Sequence, residues 1–201
     1  NDYFGLNSDR DTEEEVENII RLVPDAAYGC PGLFTCDSVQ DVAFIPLLLR
    51  FRMEIFKFSP GDQFCRWSGD NEDLLHRLVT THKSIKEKEL LDDRLLNVIR
   101  RLKNEGILQK SLIQNKILII YLICESDKYF PEKRFRFLVD WDPDALERMI
   151  PYGDDGSDDD GSDDDGSDDD GCRALHIAAW QSTLRGFQLV FEAGVRSEER
   201  T

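Results

Sequence analysis

No apolar run in this 201-residue chain is long enough to span a bilayer. The longest, Ile117 to Cys124, has eight residues, against roughly 20 for a membrane helix; a buried core helix is the better reading, and no membrane is expected as a partner. Basic charge is also scarce, with 25 Lys and Arg against 41 Asp and Glu and a net charge of -16. Eleven of the acids are aspartates between 154 and 170, and outside that stretch acids exceed bases by only five. No basic stripe is left over to neutralise phosphates, so nucleic acid is not the expected partner.

The five cysteines (30, 36, 65, 124 and 172) are an odd number without a CxxC pair. That argues against a disulfide framework and for a reducing, cytoplasmic or nuclear compartment. The three histidines, at 76, 82 and 176, have no metal-ligand spacing with each other or with the cysteines, so no metal and no cofactor is expected. Asn1 to Phe4 carry neither the basic region nor the apolar core of a secretory leader, and no initiator Met; a fragment or a processed form is expected.

What is present is helical periodicity. Thr12 and Glu15 form a capping box ahead of Val16, Ile19, Ile20 and Val23, and Pro24 ends the segment. A second helical pattern runs from Thr35 to about Phe58, interrupted at Pro46, with Val42, Ile45, Leu48, Leu49 and Ile55 as its buried side. Leu74, Leu75, Leu78 and Val79 mark a short helix. Ser84 and Glu87 then open a long one with Ile85, Leu91, Leu95, Val98, Ile99 and Leu102 on one stripe, ended by Gly106. A helix from about Gln109 to Glu125 reads as central because it is apolar on most sides. Pro131 sits where a first helical residue belongs, ahead of Phe135, Leu138 and Val139. Trp141-Asp142-Pro143 marks a turn into a short helical stretch from Asp144 to Met149. No useful length alternates with period two, so the expected class is all-α. The Asp and Glu pairs along the helices read as solvated faces.

Between 153 and 171 the unit Gly-Ser-Asp-Asp-Asp repeats three times without one apolar side chain. Such a stretch buries nothing to offset ordering entropy and is expected to be a disordered insertion in a surface turn. It fails as an EF-hand: with Gly166 at the sixth position, Gly161 falls at the first and Cys172 at the twelfth. Weak, diffuse divalent binding is all that oxygen ligands would supply. Ser157, Ser162 and Ser167 each precede three aspartates, the context that acidophilic serine kinases select, and are candidate phosphorylation sites.

After the tract the chain reads Gly171-Cys172-Arg173-Ala174-Leu175-His176-Ile177-Ala178-Ala179 and closes on Phe191-Glu192-Ala193-Gly194-Val195. This resembles one ankyrin repeat, Gly-x-Thr-Pro-Leu-His-x-Ala-Ala through to Leu-Leu-x-x-Gly-Ala, with no insertion from Gly171 to Gly194. Looser echoes upstream are similar to a divergent ankyrin-like group: Pro24-Asp25-Ala26 before Gly32-Leu33, and Pro143-Asp144-Ala145 before Gly171. The resemblance implies a degenerate ankyrin-like helical-repeat solenoid. Residues 1–105 would form a helical region with degenerate repeats and 106–201 an ankyrin-like region that carries the insert 153–171. It implies that Ala178 and Ala179 let two helices approach, and that Leu175, Phe187, Val190 and Phe191 fill the space between repeats. Gly194 would end the second helix in a left-handed turn, and His176 would satisfy neighbouring backbone groups. Arg173 and Ala174 replace the Thr-Pro pair, and Gly186 replaces an isoleucine, a change that loosens a helix by about 1 kcal/mol.

The function this implies is a non-enzymatic protein–protein interaction scaffold, with another protein as partner. The variable contact positions of such repeats fall on Cys172, Trp180 and Gln181, and Trp180 is the strongest of them as a frequent hot-spot residue. Two other classes remain open. The acidic tract could itself bind basic proteins. Cys65 and His76, flanked by Asp62, Asp70 and Asp73, could form a nucleophilic site, although no nucleophile turn or glycine-rich phosphate loop accompanies them.

Overall fold

The computed structural model describes residues 6–24, 41–57, 59, 74, 78, 85–115, 119, 122–123, 129–147 and 174–198. Among these the protein is all-α, with no strand. Helix α1 (Glu13–Leu22) starts on the expected capping box: the Thr12 hydroxyl accepts from Glu15 N–H while the Glu15 carboxylate accepts from Thr12 N–H. It buries Val16 and Ile20 and leaves Ile19 and Val23 exposed.

A short 3-10 turn (Asp41–Phe44) leads into α2 (Ile45–Phe56). Pro46 does not interrupt this helix, as the sequence pattern suggested; it lies in its first turn. A first-turn N–H has no intrahelical acceptor in any case, so proline forfeits nothing there. Ile45 to Leu49 and Phe51 are all buried, which makes α2 a central helix.

Helix α3 (Ile85–Asn104) buries the expected stripe of Leu91, Leu95, Val98, Ile99 and Leu102. Gly106 ends it at φ 71°, and the N–H groups of Ile107 and Leu108 both donate to the Leu102 carbonyl at 3.0 Å. Glycine takes that left-handed conformation without the Cβ penalty.

Helix α4 (Lys110–Asn115) is the start of the helix expected from Gln109, and Ile119, Leu122 and Ile123 beyond it are helical and buried. Helix α5 (Glu132–Trp141) begins one residue after Pro131, which sits at the cap position instead of the first turn. A second 3-10 turn (Pro143–Leu146) follows. Asp142, between them, is fully buried; Gln114 Nε2 donates to it at 3.3 Å and Lys110 Nζ lies 3.4 Å away, so α4 is tied to this turn. The chain then forms a hairpin of α6 (Ala174–Gln181) and α7 (Leu184–Glu198).

Helices pack largely in chain order: α1 on α2, α2 on α3, α3 on α5, α5 on α7, and α7 on α6. One hydrophobic cluster runs through them from Val16 to Ala193 and continues across the turn at Gly106. No described helix is long and apolar enough to cross a membrane.

Four charged side chains are buried among the described residues, Arg52, Asp92, Arg134 and Asp142, and two of them pair across helices. Arg134 on α5 is wholly buried and pairs through Nε with Asp92 on α3, itself 2% exposed. Arg134 Nη1 also donates to the Leu78 carbonyl at 2.9 Å, so one guanidinium joins three segments. Asp92 therefore belongs to the interior and not to a solvated face. The Tyr129 hydroxyl, 3.5 Å from the other Asp92 oxygen, has its pKa pushed up to about 12 by burial and then by the neighbouring carboxylate.

Candidate protein-docking face on the terminal hairpin

The two-residue turn of the hairpin is specified locally. Ser182 closes α6: its N–H and its hydroxyl both donate to the Ala178 carbonyl, at 3.2 and 2.8 Å. Thr183 opens α7, its hydroxyl accepting from Gly186 N–H at 3.0 Å and its carbonyl accepting from Phe187 N–H. A threonine at this position supplies the acceptor that the first turn of a helix lacks.

The inner side of α7 carries Gly186, Leu189, Val190 and Ala193, all buried. Gly186 has a specific reason to lack a side chain, because a Cβ there would collide with the Phe130 ring. Phe130 in turn meets Phe135 of α5 edge-on, with ring centroids 5.1 Å apart. The helix-weakening glycine is therefore a seat for an aromatic ring. Arg185 reinforces the contact with Nη2 bonds of 3.0 and 3.1 Å to both oxygens of Glu132 on α5, which also accepts from Arg136. Burial raises the Glu132 pKa, but the hydrogen bonds from Arg136 and Arg185 outweigh it and hold the carboxyl below its ordinary value.

The outer side is open and mixes apolar side chains with Arg185, Gln188, Glu192 and Arg196. Trp180 is 80% exposed and Leu184 is 76% exposed, one on each side of the turn. Phe191 and Val195 are half exposed further along α7, and Phe187 stacks on Phe191 with centroids 6.4 Å apart. Leu184, Phe187, Phe191 and Val195 follow one another at intervals of three, four and four, so they form a single stripe along the helix. Large side chains of this type exposed together mark an interaction surface far more often than an isolated one does.

Several expectations are corrected here. Leu175 and Phe191 do not fill an interior; they are 37% and 51% exposed. Of the alanine pair, Ala178 is buried against α7 while Ala179 is exposed. Gly194 does not end the second helix, which continues to Glu198, and among the described residues Gly106 is the one glycine with positive φ. His176 is exposed and has no hydrogen-bond partner among the described residues, so it does not brace the backbone.

Among the sequence-predicted contact residues, Trp180 stands at the end of α6 and Gln181 is its last residue. Cys172, Ser157, Ser162 and Ser167, with the rest of the tract, lie outside the described residues, as do Cys65 and His76. Leu184 and Val195 were missed. Their spacing with Phe187 and Phe191 was legible, but the ankyrin pattern directed those aromatics inward. Among the described residues no three His, Cys, Asp or Glu side chains gather in a group that could hold a metal. An open groove between α3 and α5 is lined by Asn97, Arg100, Lys133, Arg136 and Phe137. Its cations are engaged locally: Lys133 pairs with Asp93, Arg136 with Glu132, and Arg100 lies over the Phe137 ring.

Comparison with known family models, with curated proteins and with solved structures finds no match to this chain.

Proposed function

We propose that the chain is a non-enzymatic scaffold of ankyrin-like, helical-repeat type, and that it docks another protein on the outer face of α6 and α7. The observation that carries this reading is the exposed pair Trp180 and Leu184 continuing into the stripe of Phe187, Phe191 and Val195. The inner side of the same hairpin is fixed by Gly186, Phe130 and the Arg185–Glu132 pair, so the outer side is presented on a rigid support. A tryptophan held that way loses little entropy on binding and buries a large surface.

Two features support the repeat reading. Helices of eight and fifteen residues joined by a two-residue turn follow the motif from Ala174 onward, and the packing of α1 on α2, α2 on α3, α3 on α5 and α5 on α7 advances along the chain, as it does in a solenoid. The odd cysteine count without a CxxC spacing fits an intracellular, cytoplasmic or nuclear site of action.

The test is the double variant Trp180→Ser/Leu184→Ser. Both side chains are mostly solvated, so helicity is expected to be unchanged and unfolding free energy to stay within ~0.5 kcal/mol of the parent chain. Proteins retained from a lysate by the parent and identified by mass are expected to disappear with the variant, at moderate and at high salt. Unchanged retention would refute docking on this face.

A further inference from the structure

Ser8 lies in a short turn ahead of α1. The turn is closed by bonds among residues 7–11: the N–H groups of Arg10 and Asp11 donate to the Asn7 carbonyl, and Asn7 N–H donates to the Asp11 carboxylate. The serine hydroxyl reaches α3, where Arg94 Nη1 donates to it at 2.9 Å. A cavity of about 300 Å³ opens beside this contact, with room for a phosphate group and waters. On its α3 wall stand Arg94, Asn97 and Arg101, spaced by three and four and therefore on one helical face. Ser8 and Glu13 line the same cavity from the other side.

The chain around Ser8 is acidic in one direction. Asp9, Asp11, Glu13, Glu14 and Glu15 all follow it within seven residues, the setting that acidophilic serine kinases select. The charged groups around the hydroxyl are Asp9, Arg10 and Asp11 of its own turn, Glu13 of α1, and Arg94 and Arg101 of α3; Arg50 of α2 acts on the same Glu13. Arg10 pairs with Asp11, and Arg101 with Glu13 and Glu105. Asp9 meets Arg94 Nη2 at 3.5 Å with its side chain 63% exposed, so it can turn to water when a stronger anion arrives. A phosphate on the Ser8 oxygen is such an anion, because it brings three acceptor oxygens to a guanidinium already in contact.

We propose that Ser8 is a regulatory phosphorylation site for an acidophilic protein kinase, and that Arg94, at the α3 cavity, receives the phosphate and fastens the turn to α3. In the transfer the Ser8 Oγ–H bond breaks and its proton passes to the kinase's base. Oγ then bonds to the terminal phosphorus of a nucleoside triphosphate, the bond from that phosphorus to the bridging oxygen breaks, and the nucleoside diphosphate leaves. Presentation to a kinase is cheap in structure. The backbone bonds of the turn stay within residues 7–11, and α1 starts on its own Thr12–Glu15 box, so the turn opens while the helix stays formed.

The test has two arms. In the first, the full chain carrying Ser157→Ala, Ser162→Ala and Ser167→Ala is incubated with an acidophilic serine kinase and ATP, and the product is mapped by tandem mass spectrometry. A gain of one phosphate at Ser8 is expected. No gain at Ser8, while the same kinase modifies a control acidic peptide, would overturn the site.

In the second arm phosphoserine is installed at position 8 of the full chain during translation and titrated by phosphorus NMR. The reference is a phosphoserine peptide of residues 6–15, which has the same flanking acids without Arg94. A seryl phosphate loses its second proton near pH ~6. In the full chain that pKa is expected about 0.5–1 below the peptide's, since a guanidinium partner favours the dianion. Arg94→Gln, confirmed as folded by circular dichroism, is expected to return it to the peptide's value. Equal values in peptide and full chain would overturn Arg94 as the receptor of the phosphate.

Discussion

Replacing Asp92 with alanine is expected to destabilise the fold by about 3–5 kcal/mol, a large part of the ~5–15 kcal/mol that holds a domain of this kind together. The reason is the fate of Arg134. Its guanidinium is wholly buried and pairs with Asp92, so removing the carboxylate strands a positive charge in the hydrophobic cluster. The measurement is chemical denaturation of parent and variant. Asp92→Leu combined with Arg134→Met is expected to recover most of the loss, since an apolar pair of similar volume replaces both charges. Recovery should stay incomplete, because the Leu78 carbonyl loses the Arg134 hydrogen bond and an unsatisfied buried acceptor costs about 1–3 kcal/mol.

Tyr129 gives an independent readout in the same experiment. Its hydroxyl is held neutral up to about pH 12 by burial and by the Asp92 charge. Because the folded pKa lies above the ordinary 10.0, the stability it contributes is present below pH 10 and is lost as pH rises from there through the folded value. Asp92→Asn is expected to bring the Tyr129 tyrosinate transition down while leaving the burial contribution in place. A transition near 10 in the parent chain would show that Tyr129 is not packed against Asp92.

The second large effect is expected at Gly186. Helix propensity alone predicts that Gly186→Ala stabilises by up to ~1 kcal/mol and that isoleucine also improves on glycine. The packing predicts the reverse, because any Cβ meets the Phe130 ring. Gly186→Ile should therefore destabilise by about 1–3 kcal/mol through overpacking. The loss should concentrate in the terminal hairpin, so amides of α6 and α7 exchange faster while those of α3 keep their protection. Adding Phe130→Ala should give less than the sum of the two single effects, since each change relieves the other. A stabilised Gly186→Ile protein would mean that Phe130 does not seat on α7.

These two sites also explain which features the sequence disclosed. The Thr12–Glu15 capping box, the apolar stripe of α3 and the stop at Gly106 depend on residues within a few positions of each other, and all three are present in the fold. Pro46 was misjudged because a proline looks like a break until the helix start is known. Asp92 and Arg134 lie 42 residues apart, on helices whose other described acids and bases are exposed or partly exposed, so nothing local marks them as interior. Gly186 looked like a defect in a repeat because its explanation, Phe130, lies 56 residues earlier. The exposed residues of the hairpin divide the same way. The exposure of Trp180 agrees with its place after the Ala-Ala pair, while Phe191 was assigned inward by a pattern that assumes another repeat beside it, and it is half exposed.

Photocrosslinking from the centre of the face tests the account most directly. A photoreactive residue placed at Leu184, and another at the exposed Asn97 on α3, would be introduced into the full chain and irradiated in lysate. Discrete higher-mass adducts from position 184, absent from position 97, are the predicted result. Adducts from position 97 with none from 184 would contradict a docking face on α6 and α7.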